Sequence, residues 1–136
     1  MSSGKEHSTT SLGPVTEANA AKVLVHTGHS IAGYERLVQS SDIRHVLRSH
    51  GDPVVEAARG QVAVRKRDLV LISAIVEAAH EVSLIGIAGA RKTRRLQYVA
   101  HLHGHEYRYV EELRGGDAAV ALKTLRKRDV GGARGE

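Results

Sequence analysis

The stretch Leu96–Leu113, with the sequence LQYVAHLHGHEYRYVEEL, decides the fold class. Two runs rich in apolar and aromatic residues, Leu96 to Leu102 and His105 to Leu113, lie on either side of His103-Gly104. Runs of this composition joined by a two-residue link that contains glycine are typical of a β-hairpin. The sequence therefore predicts two antiparallel strands connected by a tight turn.

Two further apolar runs extend this hairpin into a larger sheet. Val82 to Ile87 precedes it, across a link that contains Gly89 and a basic run. Val120 to Leu125 follows it, across Gly115-Gly116-Asp117. Short strands separated by turn residues predict an antiparallel meander.

Helical periodicity and capping residues mark three segments before the strands. These are a helix from Glu17 with Thr16 as its cap and Gly28 at its exit, a helix capped by Ser41 or Asp42 and ended by Gly51, and a strongly apolar helix from Arg67-Asp68 to Ala79. Just before the third helix, Val62-Ala63-Val64 alternates like a short strand.

This order of elements predicts an α+β fold, with N-terminal helices packed on one face of a four- to five-stranded antiparallel sheet. The 136 residues suffice for one domain. Residues 1–15 are rich in Ser, Thr and Gly and lack periodicity, so we expect a flexible leader there. We expect the domain over 16–128 and a flexible tail over 129–136.

Composition favours an anionic partner. The formal net charge is +5, and the excess of positive charge lies in the runs 65–67, 91–95 and 123–128. Each run alone could be a solvated turn or tail, but three in one small domain favour nucleic acid. The absence of cysteine excludes a disulfide framework and a thiol nucleophile. The chain has neither a long apolar run nor an apolar signal-like start, so we expect action in the cytoplasm, no membrane partner, and any export as part of a larger protein.

The predicted second helix carries the strongest candidates for chemistry. His45 and His50 can exchange protons near neutral pH, and Arg44 and Arg48 can hold a phosphate. His50 follows His45 by five positions, so their side chains leave an ideal helix about 140° apart. Joint action would require His50 to reach back from the helix end. The alternative is that His50 is a hydrogen-bonded core histidine and His45 a surface one.

Several segments together resemble the phage-associated nuclease domains of the Barnase, EndoU, Colicin and RelE (BECR) superfamily. They are residues 27–34, Ile43-Arg44-His45, His50-Gly51-Asp52, Arg59-Gly60-Gln61, residues 107–112 and Leu122-Lys123-Thr124-Leu125. The resemblance covers about 23–128 and implies a helical part followed by a curved antiparallel sheet, used as an RNase toxin domain. The aromatic residue that often follows the threonine motif is absent here, where Leu125-Arg126-Lys127 stands.

The resemblance and the residue chemistry together give a predicted site. His45 is the candidate base and His50 the candidate acid or phosphate contact, with Lys123 and Thr124 completing the catalytic set. The predicted substrate-binding residues are Arg44, Arg48, Arg59, Gln61, Tyr107 and Tyr109. The two tyrosines could stack on bases, although tyrosines two apart in a strand more often pack a sheet face.

His101, His103 and His105 form an H-x-H-x-H pattern that one straight strand could offer to zinc. The predicted turn at His103-Gly104 breaks that alignment. Incidental histidines are therefore favoured first, a catalytic contribution from His101 or His105 next, and a metal site last.

The predicted function is a metal-independent, cofactor-free endoribonuclease toxin domain that cleaves RNA, with tRNA as one candidate target, through a 2′,3′-cyclic phosphate. The predicted partners are the RNA and an acidic immunity protein or antitoxin. Bacterial competition, with delivery as the C-terminal part of a secreted or phage-injected protein, fits this interpretation. The alternatives are a non-catalytic, basic nucleic-acid-binding module and a metal-dependent hydrolase.

Overall fold

The structure is a computed structural model and describes residues 8–86 and 94–130. The strands are β1 (Thr9–Pro14), β2 (Glu35–Gln39), β3 (Glu81–Gly86), β4 (Arg94–Leu102), β5 (His105–Arg114) and β6 (Ala119–Asp129). The helices are α1 (Glu17–Thr27), α2 (Ser40–His50), α3 (Pro53–Ala58), α4 (Lys66–Val70) and α5 (Ile72–Ala78). A single 3₁₀ turn, Gly115–Asp117, joins β5 to β6.

All six strands form one sheet in the order β1-β2-β6-β5-β4-β3. Neighbours are antiparallel except β2 and β6, which are parallel. The α+β class is confirmed. The predicted sheet of four to five antiparallel strands is wrong in size and type, because β1 and β2 add an edge and β2 enters it parallel to β6.

The two missed strands are short and poor in apolar residues. β1 lies within the segment predicted as a flexible leader, yet Thr10 pairs with Val38 of β2, and the Ser11 hydroxyl donates to the Glu35 carboxylate. β2 contains the charged Arg36, which is buried because Glu111 pairs with it inside the fold. Pairing with a neighbour, rather than an apolar pattern of their own, makes these segments strands.

The meander predicted over the second half is confirmed. The hairpin turn has positive φ at both central residues, 53° at His103 and 80° at Gly104, as a type I′ turn requires. The link that contains Gly89, together with Ile87 and most of the 91–95 basic run, lies outside the described residues. Val62 makes one bridge to Lys127, so 62–64 does not form the short strand predicted.

The helices begin and end close to the predictions. Thr16 caps α1 by accepting a hydrogen bond from the Asn19 N–H at 3.0 Å, and Gly28 ends it in the left-handed region. α2 begins at Ser40, with extended Gln39 before it in place of a Ser41 or Asp42 cap. The predicted long apolar helix is two helices separated at Leu71.

The core is built from Val, Ile, Leu and Ala with three buried tyrosines, and it lies between the helices and one sheet face. The buried Glu111 carboxylate is bound there by Arg36 at 2.9 Å and by the hydroxyls of Tyr98 and Tyr109. Burial by itself lowers the pKa of Arg36, but the charge of Glu111 outweighs it and raises that pKa. This ionic cluster ties β2, which carries Arg36, to β5, which carries Glu111. No helix among the described residues is long and apolar enough to span a bilayer.

Candidate active site

A buried carboxylate joins the end of α2 to α3. One oxygen of Glu56 lies 3.1 Å from His50 Nδ1, and the other accepts from Arg59 Nη1 at 2.8 Å. Glu56 is fully buried, whereas the His50 side chain is 17% exposed and that of Arg59 is 50% exposed. The buried carboxylate of Glu56 therefore holds an imidazole and a guanidinium that are both partly exposed to solvent.

The local sequence explains this geometry. Gly51 ends α2 where a Cβ would clash with the Leu47 carbonyl oxygen, and Asp52 caps α3 by accepting from the Val54 and Val55 N–H groups. Pro53 is at the first helical position, which suits its fixed φ. The tight turn thus brings Glu56, in the first turn of α3, against His50.

Backbone bonds hold both ends of the cluster. The His50 carbonyl accepts from the Val64 N–H at 2.7 Å, and the Glu56 carbonyl accepts from the Gln61 N–H at 2.7 Å. A carboxylate that binds Nδ1 fixes the ring and leaves Nε2 as the atom that can exchange a proton with a substrate. In the described part of the chain, Nε2 of His50 has no hydrogen-bond partner.

A basic groove is linked to this cluster through Gln61. It is a cavity of about 170 Å³ lined by Gln61, Glu106, Arg108, Arg126, Lys127 and Arg128. Strand register accounts for the lining, because Arg108 pairs with Arg126 and Glu106 with Arg128 across β5 and β6. Gln61 connects the groove to the His50 cluster, since it lines the groove and its N–H donates to the Glu56 backbone carbonyl.

Glu106 organises the arginines of the groove. It binds Arg108 Nε and Arg128 Nε at 3.1 Å each. Burial by itself raises the pKa of Glu106, but the hydrogen bonds from Arg128 and Arg108 outweigh it and lower that pKa. Within residues 8–86 and 94–130, Arg126 forms no ion pair, so its charge is available to an anion.

A family comparison decides what kind of protein carries this site. The model of the family described as PBECR3, phage-Barnase-EndoU-ColicinE5/D-RelE like nuclease3, matches residues 13–131. The chain belongs to this family. The resemblance noted in the sequence is thereby confirmed, and membership supports an enzyme that acts on nucleic acid. Comparison with curated proteins found no match, and comparison with solved structures found none either.

In this BECR-type nuclease, the predicted residues on α2 fall on two sides of the helix. Arg44, His45 and Arg48 are exposed, and Val46 beside them is buried in the core. α2 is a regular helix, so His45 and His50 leave it about 140° apart, and the structure places no contact between the two rings. The structure groups His50, Arg59 and Gln61 together, and His45 stands apart from them.

The predicted Lys-Thr pair lies on β6 of the nuclease. Lys123 Nζ is 3.4 Å from Asp42 Oδ1, which ties β6 to the first turn of α2. Thr124 pairs with Val110 and, by strand alternation, shares the sheet face of Arg126. Thr124 therefore adjoins the groove, and Lys123 has a carboxylate partner already.

Tyr107 and Tyr109 are packing residues in this nuclease. Their exposed fractions are 2% and 0%, and their hydroxyls bind Asp68 and Glu111. Burial raises the pKa of both phenols. Neither ring offers a face on which a base could stack.

The three histidines of the H-x-H-x-H pattern serve different surroundings. The His101 ring centroid lies 4.7 Å from that of His80, with the two rings tilted by 58°, and His101 Nε2 lies 3.5 Å from Glu106. His103 lies in the hairpin turn, and His105 contacts Asp129 at 3.3 Å. In the described ranges, no three His, Asp or Glu side chains converge as metal ligands would.

Sequence reasoning missed Glu56, Arg126 and Arg108. The signal for Glu56 was present, since Asp52-Pro53 marks a new helix start and Glu56 stands three residues before Arg59, on the same helix face. The groove arginines depend on the register of β5 with β6, and spacing along the chain does not give that register.

Proposed function

We propose that this nuclease cleaves RNA without a metal ion, by attack of a ribose 2′-oxygen on the adjacent phosphorus. The observation that supports it is the His50-Glu56-Arg59 cluster, which Gln61 links to a groove lined by arginines. This reaction needs a proton acceptor, cations for the extra charge on phosphorus, and a cleft that holds both sites together. The cluster supplies the imidazole that accepts the proton, and the arginines of the cluster and the groove supply the cations.

In the proposed reaction, His50 Nε2 takes the proton of the 2′-hydroxyl. The 2′-oxygen forms a bond to phosphorus, the bond from phosphorus to the 5′-oxygen breaks, and the leaving 5′-oxygen takes a proton from solvent water. Glu56 stabilises the imidazolium through Nδ1, while Arg59 and Arg126 hold the phosphate. The products are a 2′,3′-cyclic phosphate and a 5′-hydroxyl.

The first test is cleavage of total RNA and purified tRNA in the presence of EDTA. We expect cleavage by the wild-type protein and a loss of about 10²- to 10⁴-fold in His50→Ala, the usual contribution of a general base. His26→Ala is the matched control, because His26 is exposed on α1 and away from the groove, and it should retain full activity.

The same assay separates the rival assignments. His45 as base, the sequence-based prediction, requires that His45→Ala lose as much activity as His50→Ala. Loss of all cleavage in EDTA, with recovery in zinc or magnesium, would instead identify a metal-dependent hydrolase. RNA binding without cleavage would identify a non-catalytic basic module, and full activity of His50→Ala would reject the proposed mechanism.

We further propose that the nuclease acts as a toxin in the cytoplasm, reaches it as part of a larger secreted or phage-injected protein, and is neutralised by an acidic immunity protein or antitoxin. Arg126, which has no ion pair within the described part of the chain, and the exposed Arg59 favour such a partner, because carboxylates can replace phosphates in a basic groove. Expression in bacteria should arrest growth for the wild-type protein and not for His50→Ala. Harmless expression of active wild-type enzyme would contradict the toxin role.

A further inference from the structure

The basic groove continues into two further cavities on the protein surface. A second cavity of about 440 Å³ shares Gln61 and Lys127 with the groove, and a third, of about 300 Å³, shares Arg67 and His105 with the second. Because each cavity shares lining residues with the next, the three follow one another around the end of β6. We call the third the hairpin pocket, since His103 of the β4-β5 hairpin lines it.

The floor of the hairpin pocket is rigid and polar. Lys127 Nζ lies 3.0 Å from one oxygen of Asp68, and the Tyr107 hydroxyl donates to the other at 2.8 Å. The Arg65 N–H also donates to this carboxylate, at 2.7 Å. All three floor side chains are at most 5% exposed, so donors and acceptors are held in fixed positions.

The hairpin pocket has an apolar wall and an exposed polar rim. Leu71 supplies an apolar wall, and Arg67 and His103 at the rim are exposed. In the described part of the chain, Arg67 has no ion-pair partner. His105 is held through Nε2 by Asp129, and its Nδ1 is buried without a hydrogen-bond partner.

These features fit one nucleotide of an unpaired strand. A base needs an apolar contact and fixed hydrogen-bonding groups, and its phosphate needs a cation. The charges of Asp68 and Lys127 cancel, so the attraction for phosphate comes from Arg67 and from Arg65 in the connecting cavity. About 300 Å³ lies at the lower end of the volumes of small-ligand sites.

We infer that the hairpin pocket is a second nucleotide subsite, which extends the substrate from the cleaved linkage to a run of several unpaired nucleotides. This inference rests on the proposed function, because it assigns the strand in the groove to RNA. It makes single-stranded RNA or a loop the substrate class, since bases in a duplex are not free to enter a pocket.

The test compares a dinucleotide with an unpaired decanucleotide in EDTA. The wild-type enzyme should have a higher kcat/KM on the decanucleotide. Arg67→Ala should lower that value by about tenfold and leave dinucleotide cleavage unchanged. Lys66→Ala is the matched control, because Lys66 is the exposed neighbouring cation and lines none of the three cavities.

Two outcomes would overturn the subsite while leaving the proposed function intact. One is equal kcat/KM on both substrates for the wild-type enzyme, and the other is an Arg67→Ala variant with unchanged decanucleotide cleavage. If the wild-type protein cuts neither substrate, binding of a fluorescent 2′-O-methyl decanucleotide decides the question. Weaker binding by Arg67→Ala than by Lys66→Ala supports the subsite, and equal binding rejects it.

Discussion

At the scale of single residues, Glu56 is the side chain on which the proposed mechanism depends. It is fully buried and binds both His50 and Arg59, so it sets the orientation of one and the position of the other. Glu56→Gln keeps the size and removes the charge that stabilises an imidazolium. We expect kcat to fall by about 10²-fold with little change in KM, because the effect arises in the transition state. Glu81→Gln, an exposed change on β3, should leave the kinetics unaltered, and a normal rate for Glu56→Gln would contradict this role.

Asp68 gives a second prediction at the residue scale, on how the stability of the fold depends on pH. Burial by itself raises its pKa, but hydrogen bonds from Arg65, Lys127 and Tyr107 outweigh this and bring the pKa below the ordinary 3.8. Because its pKa is lower in the folded state, the Asp68 carboxylate stabilises the folded protein above pH 3.8. This stabilisation is lost as the pH falls through the folded-state pKa. Asp68→Asn should therefore cost about 3 kcal/mol at pH 7, and its deficit against wild type should shrink toward pH 2 in urea titrations. A deficit that stays constant with pH would show that charge is not the source.

At the scale of elements, the turn between α2 and α3 creates the site. A Cβ at Gly51 would meet the Leu47 carbonyl, so Gly51→Ala must displace the end of α2 that carries His50. We expect a loss of about 1–3 kcal/mol in the free energy of unfolding, together with a drop in activity larger than this loss of fold explains. Gly116→Ala in the 3₁₀ turn, where a Cβ meets nothing, is the control and should be neutral in both assays.

The elements also differ in how well the sequence alone predicted them. α1, α2 and the meander were predictable because caps, apolar periodicity and the His103-Gly104 turn are local signals. β1 and β2 were not, since β1 is a Ser/Thr-rich edge strand and β2 buries a charge that pairs with Glu111, 75 residues away. For the candidate site, His50, Arg59 and Gln61 were predicted from their chemistry and the family pattern, and the structure brings these three together. The partners Glu56 and Arg126 required the helix turn and the strand register.

At the scale of the whole molecule, cations unpaired within the described residues make the binding of nucleic acid dependent on salt. We expect Arg126 in the groove and Arg67 at the hairpin pocket each to replace counterions of the nucleic-acid backbone on binding. Arg126→Ala should lower the slope of log Kd against log salt by about one and weaken binding uniformly across sequences. Titration of a 2′-O-methyl oligonucleotide at several salt concentrations measures this slope. An unchanged slope would remove Arg126 from the phosphate path.

The chemistry of the product ends tests the central claim most directly. A 5′-labelled RNA oligonucleotide is cleaved in EDTA by the wild-type protein, and the masses of both fragments are measured. Imidazole-assisted attack by the 2′-oxygen predicts a 2′,3′-cyclic phosphate on one fragment and a 5′-hydroxyl on the other. A 3′-hydroxyl with a 5′-phosphate would mean that water, and not the ribose, attacks phosphorus, and would contradict the account.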